Sequence, residues 1–328
     1  MTNSIATTKD HFPTKPIPRS ARNNRTLVFQ KIIFSTLSLA FLSGCSVRRF
    51  AINKAADALA SSGTSFASDD DPELIKSAAP FSLKLMESLL AENPRHTGLL
   101  LAAASGFTQY SYAFVQEEAD EIEERDLAAS ETGRTRARKL YFRAKNYGLR
   151  GLETKHPGFK TNLLARPKEA VRAIKKSEVP LLYWTAAAWG SAIALSKNNP
   201  DLVGEIPAME SLIDRALELD ADYNEGAIHT FLISYEMSRQ GVTGDAAARS
   251  RKHFERAIQL SEGKSAAPFV SLAEAVTIKK QDAKEFESLL NSALAINPDA
   301  NPDTRLLNTI MQRRARWLLS RKSDLFLE

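Results

Sequence analysis

Side chains capable of covalent or metal chemistry are scarce and poorly spaced in this 328-residue chain. The histidines His11, His96, His156, His229 and His253 are scattered. No HExxH pair sets two imidazoles on one helix face around zinc. A single cysteine, Cys45, excludes a disulfide framework and any multi-thiolate zinc or iron–sulfur site. Glu225 and His229 stand four apart, a spacing that puts carboxylate and imidazole on one helix face but more often caps or packs than catalyses. Gly263-Lys264-Ser265 imitates the end of a phosphate-binding loop, yet Ile258 occupies the position of its first glycine and no strand precedes it. There is no GxSxG elbow and no GxGxxG fingerprint. The acidic run EEADEIEERD, Glu117 to Asp126, lacks the glycine and turning oxygen ligands of a calcium loop and reads as a solvated helix face. Near the C-terminus Arg313, Arg314, Arg316, Arg321 and Lys322 surround Trp317, a cluster suited to lipid headgroups or an acidic partner on an exposed helix. No catalytic constellation emerges. The expectation is a non-enzymatic protein without cofactor or metal.

Cys45 has a chemical role of its own. A basic stretch from Arg22 to Lys31 precedes an apolar run from Ile32 to Leu42 and then Leu42-Ser43-Gly44-Cys45. The apolar run has the length of a signal-peptide core and is too short to span a bilayer comfortably. Small residues before the cysteine admit a signal peptidase to the backbone, and only a thiol gives the thioether that carries diacylglycerol. Residues 1–44 are therefore expected to be a lipoprotein signal peptide with a polar N-terminal extension, and Cys45 the site of lipidation. Three acyl chains at a cleaved Cys45 anchor stably where one is marginal. Ser46 replaces the aspartate that commonly retains such lipoproteins in the inner membrane, so the expected anchor is the outer membrane, facing the periplasm.

Charge supports that division. The formal net charge is +5. All of it resides in residues 1–44, where Lys9, Lys15, Arg19, Arg22, Arg25 and Lys31 face Asp10 alone. The remainder is neutral, which argues against nucleic acid, because such binding rests on phosphate neutralisation by a basic surface.

The elements behind these residues read as helices. Residues 45–70 hold a short helical stretch and a Gly/Ser/Thr/Asp linker, and residues 71–328 form the main domain. Asp71-Pro72-Glu73 supplies an N-cap, a first-turn proline and a first-turn acid. Downstream, apolar residues recur at threes and fours, as in Leu212, Ala216 and Leu219, with no convincing period-2 strand. Helix endings repeat at Pro94, Pro157, Pro200 and Pro298, and the endings ALELDAD and AIQLSEG share the pattern. Their spacing approaches a tetratricopeptide period with insertions. The expected fold is all-α, a tetratricopeptide-like solenoid of helical hairpins, since no single pair buries its apolar face alone.

Two helical stretches carry no formal charge, Gly98 to Gln116 and Val179 to Ser196. Their Ser/Thr content, Gln109, Pro180 and abundant Ala and Gly argue against membrane spans and for burial on all sides. They are either plain core or, on one side, the lining of an apolar pocket or pore. In the second case Phe107, Tyr110, Tyr183, Trp184 and Trp189 are the candidate ligand-binding residues, with Gln109 and Thr185 beside them.

Several segments together resemble one family. They are EEADEIEERD, RARKLYFRAKNYGLRGLE (Arg136 to Glu153), VPLLYWTAAAWGSAI (Val179 to Ile193), LIDRALELDADYNEGAIH (Leu212 to His229) and FERAIQLSEG (Phe254 to Gly263). Over roughly Asp71 to Leu319 the chain looks like the T-component lipoproteins of tripartite ATP-independent periplasmic (TRAP) transporters. The resemblance implies a tetratricopeptide-like α-fold, a homotrimer with an apolar pore, and association with the periplasmic solute-binding component, with hydrophobic solutes as cargo. A general periplasmic tetratricopeptide scaffold for envelope or outer-membrane protein assembly is the alternative.

Overall fold

The computed structural model describes Met1 and residues 52–61 and 63–327. The expected signal segment, residues 1–44, and the expected lipidation site Cys45 lie outside the described residues. Helices make up the structure, and no strand occurs among the described residues. The first long helix, α1 (Pro72–Glu92), begins as its sequence dictates: Asp71 caps it by accepting from the backbone N–H groups of Glu73 and Leu74, and Pro72 occupies the first turn. Next comes α2 (Thr97–Ser111), capped by the ring Nδ1 of His96, which accepts from Leu99 N–H. A π-helical turn, Tyr112–Gln116, leads straight into α3 (Glu117–Ile122). After Asp126 caps the following turn, α4 (Leu127–Glu153) is the longest helix described.

Short turns then lead to α5 (Val179–Ala194), α6 (Ile206–Leu219) and α7 (Tyr223–Tyr235). The C-terminal part contains α8 (Ala246–Leu260), α9 (Ala267–Leu272), a second π turn (Ala273–Thr277), α10 (Ala283–Ala295) and α11 (Arg305–Ser320). Pro94 and Pro157 fall just beyond helix ends, whereas Pro200 and Pro298 open the short helices that follow, where the missing N–H of proline breaks no ladder.

Packing follows the two charge-free stretches. The α2 helix lies against α4, α4 against α5, and α5 against α6. Their contact is close at Gly148 on α4, where a Cβ atom would stand 2.0 Å from Thr185 Oγ1 on α5. Leu149, Leu152, Leu182, Trp189, Leu212 and Leu232 form one apolar core at this side of the molecule. A second core joins α1 and α2, through Leu83, Leu99 and Phe107, to the C-terminal helices through Val270, Phe286, Met311 and Leu318. The last long helix thus packs back toward the first. No helix among the described residues is long and apolar enough to cross a membrane.

Two expectations are corrected here. The acidic run is solvated only at its end, from Glu123 to Asp126: Glu118 pairs with Lys76, Asp120 with Arg134, Glu121 with Arg313, and Glu117 is only 1% exposed. The basic cluster around Trp317 is likewise paired within the chain, apart from the exposed Arg316. Arg314 binds Glu274 and stacks on Trp317 at 4.3 Å, Arg321 binds Glu124 and Asp324, and Lys322 binds Glu287. Both stretches are amphipathic and of opposite charge, so folding places them against each other instead of in water.

Candidate functional site

The helices enclose a cavity of about 1840 Å³, large enough for an amphipathic small molecule. Its wall draws on α1 (Ile75, Leu83, Met86), α2 (Leu101, Gln109, Tyr110), α5 (Tyr183, Trp184, Ala187), α7 (Phe231, Tyr235) and α11 (Leu307, Met311). A charge-free helix suits this duty because it has an apolar side to give to the core and another to give to a cavity. In α5, Leu181, Leu182 and Thr185 are buried, while Tyr183 and Trp184 line the space.

Of the five candidate ligand-binding residues, Tyr110, Tyr183 and Trp184 meet at the cavity wall. The Tyr183 ring stands edge-on to Trp184, centroids 4.9 Å apart, and lies 5.5 Å from Tyr223. Burial raises the Tyr183 phenol well above its ordinary range, so it acts as a neutral hydrogen-bonding group. Phe107 and Trp189 lie elsewhere, in packed core. The Phe107 ring stacks on Tyr147 with centroids 6.0 Å apart, and Arg143 sits over it. Trp189, 1% exposed, donates its indole N–H to Glu205 at 2.8 Å, and Lys145 rests 4.3 Å above its ring while bridging to the same carboxylate. The partners Lys145 and Glu205 carry no motif that the sequence reading singled out.

The polar lining also escaped that reading. Glu210 accepts from the Tyr235 hydroxyl at 2.8 Å, and both face the cavity. At another part of the wall stand Tyr112, on the first π turn, and Glu274, on the second. Glu274 accepts two bonds from Arg314, at 2.9 and 2.7 Å. Among the described residues, Glu117 lies next to Tyr112, whose hydroxyl is the one side-chain donor within reach of its carboxyl, and it forms no ion pair. Burial pushes its carboxyl up to about 8; Glu274 adds to the rise and Arg314 opposes it. Two π turns therefore bring Tyr112 and Glu274 to one cavity wall, in line with the frequent use of such turns at functional sites. Asn224 and Glu225, also on the wall, adopt left-handed backbone at φ 47° and 53°.

Glu225 and His229 do not form the pair that their spacing suggested. The left-handed turn carries Glu225 away, and His229 meets His253 of α8 instead, Nδ1 to Nδ1 at 2.8 Å. No group of three or more His, Cys, Asp or Glu side chains arranged for a metal ion occurs among the described residues.

Comparison with known proteins agrees with the resemblance. The family model of the TRAP transporter T-component matches residues 68–326. A protein of Treponema pallidum (strain Nichols), described as an uncharacterized protein, is 29% identical over 313 residues, spanning 90% of this chain and 97% of the relative.

Proposed function

The chain belongs to the TRAP transporter T-component family, and from that premise we propose that it is a non-enzymatic binding component of solute uptake. It associates with the periplasmic solute-binding component of the transporter and passes apolar solutes through its internal cavity. Cys45 anchors it by lipid, at the outer membrane facing the periplasm. The observation that carries this reading is the cavity itself, with Tyr110, Tyr183 and Trp184 on a largely apolar wall. Aromatic rings bury apolar solute surface, while hydroxyl and indole groups serve its few polar atoms. A homotrimer belongs to the same proposal. The apolar stripe of α1, with Leu74, Phe81 and Leu85 on one exposed face, supports it.

Three measurements test the proposal separately. Apolar ligands are expected to quench tryptophan emission in the full chain, and Trp184→Ala to remove the response while the circular dichroism spectrum persists. Quenching retained in that variant removes the cavity from the proposal. Co-purification with a TRAP solute-binding component from the same organism tests the partner, and failure to co-purify refutes it. Cys45→Ser tests the anchor: palmitate labelling and membrane partition are expected to vanish, and unchanged labelling refutes it.

A further inference from the structure

We propose that the cavity wall formed by Tyr112 and Glu274 receives the ammonium group of an amphipathic amine, with Glu117 supplying negative charge beside it. This rests on the reading of the cavity as a solute site and names the chemical class of the solute. The argument begins with the polar atoms the fold leaves unmatched. Among buried side chains near this wall, Glu117, which has only the Tyr112 hydroxyl within reach, and Oε1 of Glu121 are poorly matched, against one donor, Nη1 of Arg314. With Glu117 ionised, acceptors exceed donors. A ligand bringing N–H donors relieves the imbalance, whereas a carboxylate answers Arg314 alone and adds to the acceptor excess.

Charge gives the same answer. Arg314 is shared between Glu274 and Asp120, and Asp120 and Glu123 both draw on Arg134. Glu121 is held by Arg313, which also reaches Glu73. Every nearby cation is already divided between two or more carboxylates, and Glu117 forms no ion pair with any of them. Glu210, Glu225, Glu274 and Asp303 line the cavity with Lys197; Arg239 and Arg314 pair Glu210 and Glu274 from behind, which leaves the carboxylates of Glu225 and Asp303 as the excess. Field lines of one sign in a low-dielectric cleft favour a counter-ion of the other. The groups around Glu117 are Tyr112 on the same turn, Tyr141 on α4, Glu121 on α3, Glu274 on the second π turn, and Arg313 and Arg314 on α11.

The test uses the purified full chain with three probes of equal chain length, octylamine, 1-octanol and octanoate, measured by isothermal titration. At about pH 7.5 octylamine is expected to bind at least about tenfold more tightly than octanoate, with octanol between them. Glu274→Gln should collapse that ratio while octanol binding stays. Because Glu117 carries a proton near neutrality when the cavity is empty and a neighbouring ammonium favours its ionised form, amine affinity should rise with pH up to about 8 and level above it, by at most about tenfold per unit. In Glu117→Gln that rise should disappear and octanol binding should persist. Octanol binding without preference for the amine, or an amine preference that Glu274→Gln leaves intact, overturns the ammonium site and spares the cavity reading. Failure of all three probes to bind overturns both.

Discussion

Gly148 occupies a position where no side chain fits, since its Cβ would collide with Thr185 Oγ1 and approach the Thr185 backbone. Gly148→Ala must therefore push α4 and α5 apart. The expected loss is about 1–3 kcal/mol, the range for overpacking a filled core, read from urea melts. Thr185→Ala in the same chain should recover part of it, and purely additive losses would place the strain elsewhere. The imidazoles of His229 and His253 make a different kind of residue-scale constraint. One ring donates to the other, and His229 Nε2 is buried without a partner, so the pair is stable only when uncharged. Burial, with His253 and Arg256, lowers the His229 pKa from 6.5 to about 4. A depressed folded-state pKa means that the unfolded chain binds the proton first on acidification. Stability is thus full above about pH 6.5 and falls as pH drops toward 4, by about 2 kcal/mol for this group. Thermal melts across that window should slope less steeply in His229→Gln, and identical slopes would assign acid sensitivity to other groups.

Among the elements, α7 departs most from its sequence. Its first turn is left-handed through Asn224, Glu225 and Gly226, and Gly226, at φ 92°, lies where a Cβ would stand 3.1 Å from Ala257 Cα of α8. Gly226→Ala meets strain in the backbone and a collision with a neighbouring helix together. We expect a loss of about 2–4 kcal/mol, with faster hydrogen exchange confined to α7 and α8. Loss spread evenly over all helices would show that the turn does not act locally. Helix identity and helix ends were legible in the sequence because caps and prolines act within a few residues, as at Asp71-Pro72 and Pro298. The cavity was legible only in part. A helix without charges, such as α5, has no polar face to mark which residues turn inward, so Tyr183 and Trp184 could not be told from Trp189 by periodicity. What separates them is Glu205 and Lys145, which hold Trp189 in the core from other elements. The pairing of Asp120, Glu121 and Glu124 was missed for a related reason: Arg314, Arg313 and Arg321, which bind them, come from the far end of the chain.

At the scale of the whole molecule, those same arginines close the helical array on itself. Arg313 reaches Glu73 of α1 and Glu121 of α3, Arg321 reaches Glu124, and Arg305 donates to the carbonyl of Ser68. Closure keeps the first and last helices together around the cavity, so solute binding and global stability share these contacts. The contributions of the arginines should nevertheless differ, because their surroundings do. Arg313 is 36% exposed and its partner Glu73 67%, and such pairs contribute less than about 1 kcal/mol. Arg314 is largely buried between Glu274, Asp120 and the Trp317 ring. Removing it strands Glu274 near Glu117, which has no ion pair, while Asp120 keeps Arg134. Arg314→Ala is therefore expected to lose about 3–5 kcal/mol, the range for breaking a buried pair, and Arg313→Ala under about 1 kcal/mol. Denaturant melts of the two variants provide the comparison. Equal, small losses would mean that apolar packing of α11, through Ile310, Met311 and Leu318, closes the molecule and that the ion pairs only set its register.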